Sequence, residues 1–297
     1  MANNIALAKN YVALLDEVYK NASLTSVLNS DPSTARAGAN ANEIMIPKLS
    51  MDGLADYSRN DGYVKGDVAF EWETVKFNYD RGRLFEVDSM DDEETVQLAF
   101  GRLAAEFVRT KVVPEDDAFT FATLAGISGI SKVAAGATLS DGAGVMTAIK
   151  AGLDEMDEDE VPQEDRYLFI TPTNLSAVRA MDTTKSRELL DGFVQIIKVP
   201  QSRFYTAIDL YDGADHTGSS GADETIGGYV KAAAGKDINF MIIHKPAVLK
   251  YWKHTASNII TPENNQRSDG YIQKYRKYGL VDAYDNKLAG IYLHHKA

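Results

Sequence analysis

Apolar residues recur at helical spacing in the opening stretch MANNIALAKNYVALLDEVYK, at Leu7, Tyr11, Leu14, Leu15 and Val18, which predicts an amphipathic helix. Residues 21–42, NASLTSVLNSDPSTARAGANAN, are small and polar with one Pro and one Gly, a composition that predicts an extended or flexible tether. Two alternating runs follow, EIMIPKLS and YVKGDVAFEWETVKFNYDRGRLFEVD, with the Gly-, Asp- and Asn-rich MDGLADYSRNDG between them. That order reads as two strands joined by a loop tip. Within the second run, Glu71 to Asp88 reads as one strand, able to extend roughly 60 Å at about 3.3 Å per residue. Val75, Phe77 and Tyr79, then Phe85 and Val87, share one face, which Arg81 and Arg83 interrupt. An isolated hairpin buries too little apolar area to stand alone, so a projecting one packs on another body or folds back on its own domain.

The pattern then turns helical. Asp88, Ser89, Asp91 and Asp92 offer N-caps before an apolar stripe of Val96, Phe100, Leu103, Phe107 and Val108, and Pro114 is expected to stop this helix of about 20 residues. From about 139 to 265 strands and helices alternate. YLFIT (167–171) precedes Pro172 and a helical TNLSAVRAM, and FMIIHK (240–245) precedes Pro246 and an expected helix AVLKYWK, each using proline as a favoured helix start. GFVQIIKVPQSRFY between them is a further strand, and the Gly-, Ser- and Asp-rich 209–228 reads as a surface excursion. The chain returns to strands in YIQKYRKYGLVDAY and LAGIYLHH, joined by the turn signal Asp285, Asn286, Lys287.

Composition narrows the chemistry. The 297 residues are 44% hydrophobic and 25% charged, with net charge -12, which suits a globular body with a sizeable core and argues against a nucleic-acid grip. Cysteine is absent, so there is no disulfide, thiolate nucleophile or cysteine zinc site. The opening stretch lacks a signal-peptide pattern. The apolar run from Phe119 to Ile130 is shorter than the roughly 20 residues of a membrane helix.

No phosphate loop, zinc-binding helix motif or serine elbow occurs. His216, His244, His254, His294 and His295 lack metal-pair spacing and are expected to be solvated or to face a partner. The acidic runs at 154–165 and at Asp209, Asp212 and Asp215 lack the calcium-loop pattern and read as solvated faces. Lys274, Arg276 and Lys277, among Tyr271, Tyr275 and Tyr278, form the one basic cluster. No catalytic, cofactor or metal residue is expected, and the projections argue for assembly.

The order and lengths of these elements resemble the major capsid protein of tailed bacteriophages, the Hong Kong ninety-seven type fold. The resemblance covers nearly the whole chain. It implies an α+β fold with an N-terminal arm (1–42), an extended E-loop hairpin (43–88) and a spine helix with the first part of a peripheral domain (89–138). An axial domain (139–265) and closing peripheral strands (266–297) would follow. It implies a virion shell subunit, made in the host bacterial cytoplasm, that assembles into hexamers and pentamers. Its expected contacts are Leu7, Tyr11 and Leu14 in the arm and Trp72, Val75, Phe77, Tyr79, Arg81 and Arg83 in the hairpin. With about 40 residues ahead of the hairpin, a separate scaffolding protein is implied, with a portal and auxiliary head proteins as further partners. Lys65 or Lys76 are candidates for the Lys–Asn crosslink that some members form. Specific DNA binding, a membrane and a small-molecule substrate are not expected. An encapsulin-like compartment shell shares this fold, and a cation-dependent hydrolase using the acidic runs is the reading from another class.

Overall fold

The structure is a computed structural model that describes residues 22–30, 36–37, 43–60, 62–94, 103–133, 135–217 and 221–297. The strands begin with β1 (Arg36–Ala37), β2 (Glu43–Met51), β3 (Val68–Lys76) and β4 (Tyr79–Asp88). The helices α1 (Ser89–Glu94) and α2 (Leu103–Phe107) come next, and a π turn (Val108–Val112) joins α2 to α3 (Val113–Gly126). Then come β5 (Ser131–Lys132), α4 (Gly142–Glu158), β6 (Arg166–Ile170), α5 (Pro172–Ala180), α6 (Thr184–Asp191) and β7 (Gln195–Lys198). The chain continues through β8 (Ile208–Tyr211), β9 (Gly228–Lys231), β10 (Ile238–His244), β11 (Val248–Ile260), β12 (Gly270–Ala283) and β13 (Ile291–His295).

The core is built on β10, where Ile238 to Ile243 are all buried. A run this apolar belongs to a strand covered on both faces. It sits centrally in a mixed sheet of order β5-β13-β10-β6-β7. Met241 and Ile243 pack with Phe121 and Leu124 of α3 on one face, while Phe240 and Ile242 pack with Val145 and Ile149 of α4 on the other. Asp141 caps α4 by accepting from the Gly144 amide at 2.9 Å. A second sheet, β11-β12-β4, a third, β1-β2-β3, and the two-stranded β8-β9 complete the described architecture.

Several expectations change. Glu71 to Asp88 is two strands in two sheets: β3 pairs with β2, and β4 pairs with β12 from Gly279↔Tyr79 to Gly270↔Asp88. Local alternation cannot reveal this, because both strands keep the same parity across the break at Phe77 and Asn78. Pro114 does not stop the helix. It lies in the first turn of α3 directly after the π turn, a wider turn that relieves the ladder ahead of a residue with no N–H. AVLKYWK is not a helix: a 3-10 turn at Lys245–Ala247 absorbs Pro246, and β11 begins at Val248. Residues 248–260 therefore join the second sheet rather than the first. The last strand, β13, lies in the first sheet between β5 and β10, so LAGIYLHH does not pair with the strand before it.

The tether of 21–42 also changes. Thr25 and Leu28 are fully buried, and Ser30 exchanges hydrogen bonds with Lys250, its amide donating to the Lys250 carbonyl at 2.9 Å. Leu7, Tyr11, Leu14, Val96 and Phe100 lie outside the described residues.

Candidate assembly surfaces

The β2–β3 hairpin has two unlike faces because its register sets opposite parities to opposite uses. Ile44 and Ile46 are buried at its base with Leu249 and Leu280, and Val75 and Phe77 pack against that cluster. Lys48 on the same face pairs with Asp285 at 3.0 Å. The other face carries Pro47↔Trp72, Leu49↔Phe70 and Met51↔Val68 as directly opposed pairs. These are large apolar side chains in water: Val68 is 69% and Phe70 58% exposed, and the Phe70 and Trp72 rings meet edge to face at 5.4 Å. Beyond them the connecting loop exposes Leu54, Tyr57, Tyr63 and Val64. A contiguous apolar surface of this kind marks a binding face.

Trp72 is the one expected hairpin contact on that exposed face. Val75 and Phe77 are half-buried at home. Phe77 lies 4.7 Å from Tyr278 and 6.3 Å from Tyr251 between ring centroids. Tyr79 is 3% exposed, donates from its hydroxyl to Glu115 at 3.1 Å and has its phenol pKa pushed far up by burial and by that carboxylate. The arginines that interrupt the alternation are used inside the subunit. Arg81 pairs with Glu115 at 2.8 Å and donates to the carbonyls of Tyr211 and Gly228, while Arg83 donates to the Thr225 carbonyl at 2.9 Å. β4 thus turns Tyr79, Arg81, Arg83, Phe85 and Val87 toward α2, α3 and the 208–231 excursion. The exposed parity of β3 was readable in the sequence as Val68, Phe70 and Trp72, but only the hairpin register makes them neighbours of Leu49 and Met51.

Between β4, α2, α3 and the β8–β9 excursion runs a groove of about 910 Å³. Phe85, Phe107, Tyr275, Tyr211 and Tyr229 supply apolar walls, and burial pushes the Tyr229 phenol up to about 12.

The other polar candidates behave as follows. Arg276 grips Asp80 through two nitrogens, at 2.8 and 2.6 Å, and Lys277 pairs with Asp116 at 2.9 Å, so the basic cluster is largely spent within the chain. Residues 154–160 are exposed apart from Met156, as a solvated face should be. Asp212, His216 and Glu224 bring ligand atoms within 4.8 Å of one another, whereas Asp215 instead caps Thr217. Asp212 and His216 are already hydrogen-bonded at 2.9 Å; the Ala214 amide and then His216 hold the Asp212 carboxyl pKa down, and Asp212 raises the imidazole pKa. His294, expected in solvent or at a partner, is a core residue at 2% exposure. Its ring stacks on Phe240 at 4.9 Å and Nδ1 lies 3.0 Å from Asn239 Nδ2. Among the described residues no helix is long and apolar enough to cross a membrane.

No family model matches the chain, and no curated protein matches it. Solved structures do. The mature capsid of bacteriophage PhiM1 superposes with TM-score 0.64 at 12% identity, over 97% of this chain and 91% of that one. The capsid of Myoviridae phage XM1 gives 0.61 at 11% identity over 100% of both chains. That of cyanophage P-SCSP1u gives 0.61 at 14% identity, over 97% and 92%. This chain has the tailed-phage capsid fold.

Proposed function

We propose that the chain is the structural subunit of a phage head, a virion protein that assembles with copies of itself into the hexamers and pentamers of a closed shell around DNA. The observation that carries the proposal is the exposed face of Leu49, Met51, Val68, Phe70 and Trp72 on a hairpin whose base alone is packed at home. Its natural cover is a neighbouring copy, with the groove beside Phe85 and Phe107 as the seat. A knob and a seat at different places on one chain make a head-to-tail contact, which closes into rings when the rotation permits. Apolar burial at roughly 25 cal/mol per Å² then adds up around each ring. Catalysis plays no part in this reading. A separate scaffolding protein, a portal and auxiliary head proteins are its expected partners, and assembly takes place in the host cytoplasm. Electron microscopy of the purified protein is the test. Closed, uniform particles are expected, with nucleic acid inside when they are taken from infected cells. Monomers or small oligomers at high concentration would sink the proposal, and particles filled with protein would redirect it to a compartment shell.

A further inference from the structure

α3 opens with three consecutive acids, Glu115, Asp116 and Asp117, and all three are buried. Four cations meet them from other elements. Arg81 reaches Glu115, Arg203 reaches Asp117 at 2.8 Å, Lys277 reaches Asp116 at 2.9 Å and Lys250 lies 3.3 Å from Asp116. Lys250 is 1% exposed and burial pulls its pKa down. Buried ions are costly when one loses its partner. Here every acid has a cation drawn from the helix-and-sheet body.

Residues 23–30, SLTSVLNS, carry no charged side chain and close over this cluster. Ser23 Oγ, the Leu24 and Thr25 amides and Thr25 Oγ1 all donate to Asp117, the last at 2.8 Å. Lys250 Nζ donates to Thr25 Oγ1 at 2.6 Å. Leu28 fills a core position between these bonds and those of Ser30 with β11.

We infer that residues 23–30 are a neutral strap that closes over an ion cluster in which every acid already has a cation without it, with Asp117 as its receptor, and that the strap opens as a unit while the rest of the subunit stays folded. Opening returns only amides, hydroxyls and apolar groups to water. Asp117 keeps Arg203, and Lys250 gives up its hydrogen bond to Thr25 Oγ1 but stays 3.3 Å from Asp116. No buried charge is orphaned, so the barrier that normally welds such a cluster into the global fold does not apply to the strap. Segments of this kind exchange through local opening.

Hydrogen exchange on the full-length chain, read by mass spectrometry, tests this. The strap amides Leu24, Thr25 and Ser30 are expected to exchange at least about tenfold faster than those of β10. Thr25→Val, which leaves every ion in place, is expected to speed the strap by about tenfold again with β10 unchanged. Strap and β10 exchanging at one rate in the native chain, or Thr25→Val accelerating both equally, would overturn the inference.

Discussion

Phe77 and Tyr278 face each other at 4.7 Å between ring centroids, at the corner where the hairpin passes into the second sheet. Tyr251 and the Lys253 ammonium, 5.0 Å over the Phe77 ring, complete the contact. Phe77 therefore fixes the hairpin base to its own subunit. Phe77→Asp removes these ring contacts and sets a carboxylate beside Leu249 and Leu280, for a loss of about 2 kcal/mol. Urea unfolding of the unassembled subunit should show it as a lower midpoint. An unchanged midpoint would place Phe77 in an interface instead.

Phe70 is the contrasting case. It is 58% exposed, so Phe70→Asp should shift subunit stability by no more than about 0.5 kcal/mol. On the proposed function the same change should abolish association between copies. Circular dichroism melts and sedimentation velocity, run side by side, separate the two effects. Normal shells from this variant would remove the hairpin face from the interface.

Two truncations divide the N-terminal region. Removing residues 1–21 spares residues 23–30 and gives the reference chain. Removing residues 1–30 also deletes Leu28, which is 0% exposed, and the Thr25 bonds to Asp117, at a cost of about 3 kcal/mol. Equal stability of the two truncated chains would contradict the placement of residues 23–30.

His294 gives the subunit an acid-sensitive core. Burial, and then the neighbouring His295, hold its pKa down at about 4, against an ordinary value of 6.5. Between those two values the unfolded chain binds a proton that the folded chain refuses. Stability from this group is thus complete above about pH 6.5 and is lost as pH falls toward 4, by an amount on the order of 1 kcal/mol. Thermal melts at pH 7.5 and 4.5 should show a Tm drop about 2–3 °C smaller in His294→Phe than in the native chain. Equal drops would mean that His294 is hydrated in the folded protein.

The sequence spoke most clearly where burial was uniform or punctuation was local. FMIIHK announced a strand by its apolar run, Pro172 announced the start of α5, and the Gly- and Asp-rich 51–62 announced a hairpin connection. It was silent where the deciding partner is distant. Nothing local shows that β3 and β4 belong to different sheets, since that depends on Glu43 for one and Gly279 for the other. Residues 23–30 look like a solvated linker because their cover is a carboxylate 92 positions away from Thr25. Of the hairpin contacts that the resemblance implies, Tyr79, Arg81 and Arg83 answer to Glu115 and to the 208–231 excursion, Val75 and Phe77 pack at the hairpin base, and Trp72 lies on the exposed apolar face.

The place of β13 in the first sheet has a bearing on synthesis. Its neighbours are β5 and β10, yet residues 291–295 are made after every other strand. While the ribosome is still adding residues 246–290, one edge of β10 stays bare, and the half-sheet offers unpaired backbone to any nascent chain beside it on the same message. A polypeptide broken off before Ile291 keeps that edge of β10 open to pairing with another chain.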